Sequence, residues 1–317
     1  MLNKIIVYIL VAPLTLFSIL IHAKSPSVNT EANNTTSTVK IIVWQHTIDY
    51  PNKILMSILL QAFEETREEY GDYEIISSSP MEQRRAVSKL SKRYKDTLDI
   101  AHLASNVSRE KNATAIRIPL ISGLSGYRVC LIKPSNQSKF TNIKNKQDFI
   151  DKGITIGQQQ DWPDTKILTS NGIDVQTSYK YSLLFRQLDK QRFDCFLRGV
   201  NEISDEVEQN SNTHFVIEDN LLFYYPLPLF FFVNNNRPEI IERLTKGLSK
   251  LKEQGVLADL LAENFQQKMH QLHLNNRTLI RLDNPILPKE SLQSIEPIPW
   301  LNELINHQDS LESNKAN

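Results

Sequence analysis

No excess charge of either sign marks this chain: 36 Lys and Arg balance 36 Asp and Glu over 317 residues. A protein that grips nucleic acid through its phosphates carries a basic footprint, so nucleic acid is not an expected partner. Cysteine is scarce too, with Cys130 and Cys195 the only two. Neither lies near the N-terminus, so a lipid-anchored start is not expected. Both stand in apolar, strand-like runs, and sequence leaves a pair of buried thiols and a disulfide equally open because it does not give their separation. No internal repeat at a period of roughly 20 to 50 residues is present. Neither G-x-S-x-G nor H-E-x-x-H occurs, nor a Ser-His-Asp order, and His270 and His273 have no third ligand nearby. No hydrolase, metal or cofactor chemistry is expected.

What is there is a normal globular composition, 40% hydrophobic and 23% charged, in a chain long enough for two units of ordinary size. Residues 1–23 carry Lys4, an apolar run from Ile5 to Ile21 broken by Pro13, and Ala23 before a polar segment. That pattern reads as a secretory signal peptide, with an uncleaved membrane anchor as the alternative. Residues 24–38 are Ser, Asn, Thr and Pro with little that is apolar, a flexible lead-in. An exported protein follows.

Alternation of Val39, Ile41 and Val43 predicts a strand that delivers Trp44, Gln45 and His46 at its carboxyl end. Pro51 introduces a helix, and short strands near 73–76 and 98–103 flank a helix over 82–94, a βαβαβ order that points to a parallel sheet. A second βα series runs from Ile154. Within it Gln191 to Glu202 reads as a buried strand, a turn at Gly199 and a helix start, with Arg198 at the strand's carboxyl end, where open α/β sheets bind ligands. Leu221 to Val233 is too apolar for an exposed loop and too proline-broken for a membrane span, so it reads as a crossing back into the first sheet. Pro238 and Gly255 bracket a helix, and another runs through Phe265.

Four segments together carry a resemblance: SREKNATAIRIPLISGLSGYR (Ser108–Arg128), GQQQDWPDTKIL (Gly157–Leu168), QRFDCFLRGVNEI (Gln191–Ile203) and YYPLPLFFFV (Tyr224–Val233). In order and spacing, over about residues 39–268, the chain resembles family 3 of the extracellular solute-binding proteins in the periplasmic-binding-protein superfamily. The resemblance implies an α/β, type 2 fold of two lobes joined by two crossing strands, with a ligand cleft between them. Lobe one would take 39–128 and 223–268, lobe two 129–222, and residues 269–317 would form a tail, draped on a lobe or partly disordered. It further implies a non-catalytic monomer that binds a small solute, amino-acid-like or another carboxylate-bearing anion, by lobe closure. Its partner would be a membrane permease of the ABC type or a sensor receptor; a dehydratase on the same scaffold, with Glu202 as its carboxylate, is the enzymatic alternative.

The resemblance also implies site residues. Arg109 stands where amino-acid binders grip the ligand carboxylate, a task suited to a guanidinium fork; a rim arginine paired with Glu110 or Asp99 is the other reading. Asp161 is expected to cap a helix begun by Pro163, aiming N–H groups at the same anion, with Trp162 as a ligand cover or a structural residue. Arg198 stands where an ammonium-binding Asp is usual, and an arginine cannot accept from an ammonium, so Glu202 one turn on is the candidate acceptor. Trp44 and Tyr225 complete the expected contacts, although in so apolar a run Tyr225 is more often core than contact. If Arg198 is a ligand contact, Arg198→Ala should abolish ligand-induced stabilisation and leave the unliganded melting point nearly unchanged.

Overall fold

The computed structural model describes residues 38–50, 53–91, 97–210 and 214–305. The expected signal peptide, the lead-in apart from its last residue, Pro51 and residues 306–317 lie outside them. In chain order the strands are β1 (Val39–Val43), β2 (Tyr73–Ser77), β3 (Ile100–Ala104), β4 (Thr114–Ile116), β5 (Tyr127–Ile132), β6 (Ile156–Gln159), β7 (Val175–Ser178), β8 (Cys195–Gly199), β9 (Val216–Ile217), β10 (Leu221–Tyr224), β11 (Leu229–Val233) and β12 (Thr278–Arg281).

They form two sheets, and each is the floor of one lobe. The first has the order β2-β1-β3-β11-β4 and the second β12-β10-β5-β8-β6-β7, with β9 on β5. The expected parallel pairing holds for β1 with β2 and β3, and for β6 with β7 and β8. Strand β11 enters the first sheet antiparallel, between β3 and β4. Helices cover the sheets through one apolar stripe each. Ile54, Leu55, Ile58, Leu59, Ala62 and Phe63 are the buried face of Ile54–Glu64, and Ile240, Leu244, Leu248 and Leu251 that of Pro238–Glu253, the i, i+3, i+4 pattern of an amphipathic helix.

The Leu221–Val233 stretch is the expected crossing, built from two strands. Strand β10 belongs to the second sheet and β11 to the first, and Tyr225–Pro228 crosses between them. Pro226 and Pro228 supply no N–H to a ladder, so the strand has to break there. This crossing touches the outgoing one: Tyr225 N donates to Gly126 O (3.2 Å), and Ser125 Oγ donates to Leu227 O. A Cβ on Gly126 would collide with the Tyr225 carbonyl, so glycine is required there.

The tail is ordered over its described part. Strand β12 extends the second sheet alongside β10. Asn171 then holds Asp283 through two bonds (2.8 and 3.2 Å), Asn284 Nδ2 donates to Pro226 O on the crossing (2.8 Å), and Val107 N of the first lobe donates to Ile286 O (3.0 Å). Ser291 in the helix Lys289–Gln293 donates to Glu110, also in the first lobe. Residues 269–305 therefore run from the first lobe onto the second and back across the crossings, a strap that sequence showed only as scattered apolar residues.

Cys130 and Cys195, left open by sequence, form a disulfide between the neighbouring strands β5 and β8, with Cα atoms 5.2 Å apart. The bridge spans 65 residues of chain, for which loss of unfolded-state entropy corresponds to about 4 kcal/mol. The double variant Cys130→Ala/Cys195→Ala is expected to lose about 2–4 kcal/mol in urea unfolding, a range that allows for residual structure in the unfolded chain.

Candidate functional site

Carboxyl ends of β1, β3 and β8, together with the start of the helix Pro163–Ser170, border a cleft of about 890 Å³ between the lobes. Of the residues expected from sequence, Trp44, Trp162, Arg198 and Glu202 line it. Arg109 and Tyr225 do not; they are 5% and 0% exposed and lie behind the wall.

From the first lobe, the loop after β1 contributes a packed group of rings. Trp44 is fixed by its indole N–H on Met81 O (3.1 Å), and its ring centre lies 5.0 Å from His46 and 5.3 Å from His102. His46 stacks on His102 at 5.5 Å, and Tyr50 meets His102 edge-on at 5.6 Å. His102, on β3, is buried and shares a 2.8 Å hydrogen bond with Thr47 Oγ1. Burial, and secondarily the charge on His46, push the His102 pKa well below that of a free imidazole. A group that resists protonation in the folded state but not in the unfolded one stabilises above its unfolded pKa and stops doing so as pH falls. Stability in urea should therefore decline as pH drops through about 6.5. A His102→Gln variant is expected to flatten that decline; an unchanged slope would assign it to other groups.

In the second lobe the wall is an arginine enclosed by its own chain. Arg198 Nε donates to both carboxylate oxygens of Glu206 (2.9 and 2.8 Å), and Nη2 donates to Glu206 Oε1 (2.5 Å) and Glu202 Oε2 (2.7 Å). Its guanidinium carbon lies 4.7 Å from the Trp162 ring centre, 5.1 Å from Phe196 and 5.4 Å from Tyr181. Tyr181 in turn donates to Glu206 (2.6 Å). Burial alone would weaken the Arg198 charge, but Glu206 and Glu202 outweigh it and hold the proton more tightly than on a free arginine. Glu202 behaves likewise: burial raises its pKa, while Arg198, Arg128 and the Tyr50 hydrogen bond bring it below the usual carboxylate range. The turn expected at Gly199 is not of the positive-φ kind. Gly199 is the last residue of β8, and a Cβ there would run into the Asn201 side chain and crowd Arg128 Nη1.

The start of the Pro163–Ser170 helix also differs from expectation. Trp162, not Asp161, is the N-cap residue, and no side chain caps the helix. Asp164 in its first turn is 4% exposed and ion-paired to Arg128 (2.9 Å), with Tyr225 OH donating to the same oxygen (2.6 Å). The helix N-terminus thus faces a carboxylate of the chain itself, as the helix dipole favours. Arg109 donates to Ala104 O (2.7 Å), to Gln83 and, more weakly, to Asp161 O of the other lobe (3.4 Å). It is not paired with Glu110, which instead binds Arg117 and the hydroxyls of Ser105 and Ser291. Burial lowers the Arg109 pKa to about 10, with Asp164 and Asp161 opposing the shift.

A second contact between the lobes forms across the cleft itself. Tyr50 OH donates to Glu202 Oε1 (2.9 Å) and accepts from Asn201 Nδ2 (3.1 Å). Sequence placed His46 at a strand's carboxyl end but offered no signal for Tyr50, His102 or Asn201 as site residues, because their meeting depends on which strand ends face each other. Among the described residues no group of three His, Cys, Asp or Glu side chains is placed to hold a metal ion.

Solved structures share this two-sheet arrangement. An amino acid ABC transporter substrate-binding protein of Streptococcus pneumoniae, bound to L-arginine, matches with a TM-score of 0.53 over 72% of this chain and 95% of its own, at 16% identity. The chain has the two-lobe periplasmic-binding-protein fold. An ancestral arginine-binding protein bound to arginine matches at 0.51 and 18% identity, over 72% of this chain and 98% of that one. A histidine kinase sensor domain similar to periplasmic binding proteins matches at 0.50 and 13% identity, over 72% and 96%. These periplasmic-binding-protein structures are covered almost whole, while more than a quarter of this chain lies outside the shared part. No family model and no curated protein sequence matches the chain.

Proposed function

We propose that this protein is a non-catalytic binding protein that closes its two lobes over a small polar solute. The observation that carries the reading is the Tyr50 junction with Glu202 and Asn201: it spans a cleft rich in ionisable side chains and gives the lobes a contact to make on closing, within a fold suited to hinge motion. Glu202 is poorly suited to be the general acid of the dehydratase alternative. Held below the usual carboxylate range, it is ionised near neutral pH and has no proton to give as a general acid.

Export to the periplasm is part of the proposal, supported by the leader pattern of residues 1–23 and by the Cys130–Cys195 disulfide, which persists in an oxidising compartment. Service to a permease or a sensor receptor, as a monomer, is also part of the proposal; the matching structures include both a transporter substrate-binding protein and a sensor domain.

The test is a thermal-shift screen over amino acids, amines, organic acids and sugars, followed by small-angle scattering with any compound that stabilises. Binding to the native state alone raises the melting temperature, by about 2.7 kcal/mol of stability at a hundredfold excess over Kd. A rise of several degrees with a smaller radius of gyration is the expected result. Silence across the whole panel would remove the reading.

A further inference from the structure

We propose that the cleft selects a small organic cation that needs no carboxylate, such as an amine or a guanidine. This rests on the binding reading above and departs from the anion expected from sequence.

The arginines are the first ground. A ligand carboxylate needs a guanidinium whose charge is still available, and the two buried arginines of the cleft wall have spent theirs. Arg198 is bound by Glu206 and Glu202, and Arg128 by Asp164. Arg109 is outside the wall with Ala104 O, Gln83 and Asp161 O as acceptors. Arg128 Nε has no acceptor among the described residues; a carboxylate approaching it would sit beside Asp164, which already neutralises that guanidinium.

Acceptors are the second ground. Glu202 and Glu206 share the single charge of Arg198, so this trio of cleft-lining residues carries a net negative charge. Asp49 and Glu82 line the same space, and Asp49 is held by the amide of Gln45 rather than by a cation. Exposed Arg85 is the one lining arginine outside these pairs. Asn201 adds an acceptor by elimination: Tyr50 gives its only proton to Glu202, so the Asn201 amide must donate to Tyr50, and its buried Oδ1 is left without a partner among the described residues. Such an acceptor is satisfied by an N–H of a ligand.

The rings are the third ground. His46, exposed on the first-lobe wall, lines the cleft with its ring centre 5.0 Å from that of Trp44. Arg198 itself shows the chemistry on the opposite wall, where Trp162 and Tyr181 flank a guanidinium satisfied by carboxylates.

Three probes decide the matter: agmatine, L-arginine, which differs from it by the carboxylate, and glutarate, which has carboxylates alone. Titration calorimetry on the full-length protein is expected to give agmatine a Kd equal to or below that of L-arginine, with no heat from glutarate. A tenfold rise in salt should weaken agmatine several-fold, since the attraction is screened. The variant Glu82→Gln, at an exposed position, should weaken agmatine about threefold without moving the melting temperature. Tighter binding of L-arginine or glutarate than of agmatine by tenfold or more would overturn the proposal and leave the binding-protein reading standing. Binding of only neutral compounds would overturn it in the same way, and silence from every compound would remove both.

Discussion

Arg198→Ala is expected to cost about 3–5 kcal/mol of folding stability, because it strands the buried carboxylate of Glu206 without its ion-pair partner and removes one partner of Glu202. Sequence pointed the other way, to a ligand contact whose removal would spare the unliganded protein. The structure reverses that expectation: four hydrogen bonds and three flanking rings hold Arg198 within its own lobe. Urea unfolding of the unliganded protein checks it directly. A companion double variant, Arg198→Met/Glu206→Leu, removes both members of the main pair, and well-packed apolar replacements of a buried pair are often neutral. It should recover most of the loss. If the double variant is as unstable as Arg198→Ala, the packing of the stem against Trp162 and Phe196 matters more than the charge. If Arg198→Ala leaves the unfolding midpoint unchanged, the arginine is free for a ligand after all.

Removal of the strap is expected to cost more still. A chain ending at Asn276 loses β12 and the buried Ile280, Leu282, Ile298, Leu301 and Ile305. At about 2 kcal/mol each for burying a large aliphatic side chain, the loss is on the order of 10 kcal/mol. That is comparable with the whole stability of an ordinary domain, so the truncated chain is not expected to fold. Point variants grade the effect: Ile280→Ala, at a site 2% exposed on β12, should cost about 3 kcal/mol. A truncated chain with the unfolding midpoint of the full protein would show that the strap only decorates the lobes.

Much of the fold was legible because period and punctuation act locally. Val39, Ile41 and Val43 spell a strand by alternation, Pro238 and the leucines after it spell a helix, and Gly255, at φ 80°, ends one helix and begins the next. The Leu221–Val233 run is legible as a crossing, but an apolar stretch does not say which sheet each half joins; the two prolines and the antiparallel place of β11 settle that only in three dimensions. The tail, which sequence leaves either draped on a lobe or partly disordered, is draped over its described part. Its strand is Thr278–Arg281, four residues long, and it is a strand because β10 offers an edge.

In the candidate site the division is sharper. Sequence placed Trp44, Trp162, Arg198 and Glu202 at strand and helix ends, and those ends do border the cleft. It could not tell a guanidinium offered to a ligand from one already satisfied, since the partners of Arg198 lie four and eight residues on, along a turn and a helix whose orientation the chain alone does not fix. By itself, then, the sequence determined the two βα series, the crossings and the residue types at the mouth of the cleft, because hydrophobic period, proline and glycine work over a few residues. Only the tertiary structure decided which charges are spent, how Tyr50 reaches Glu202 and where the tail runs, because a hydrogen bond or an ion pair depends on distances between groups that are remote along the chain or set by the packing of whole elements.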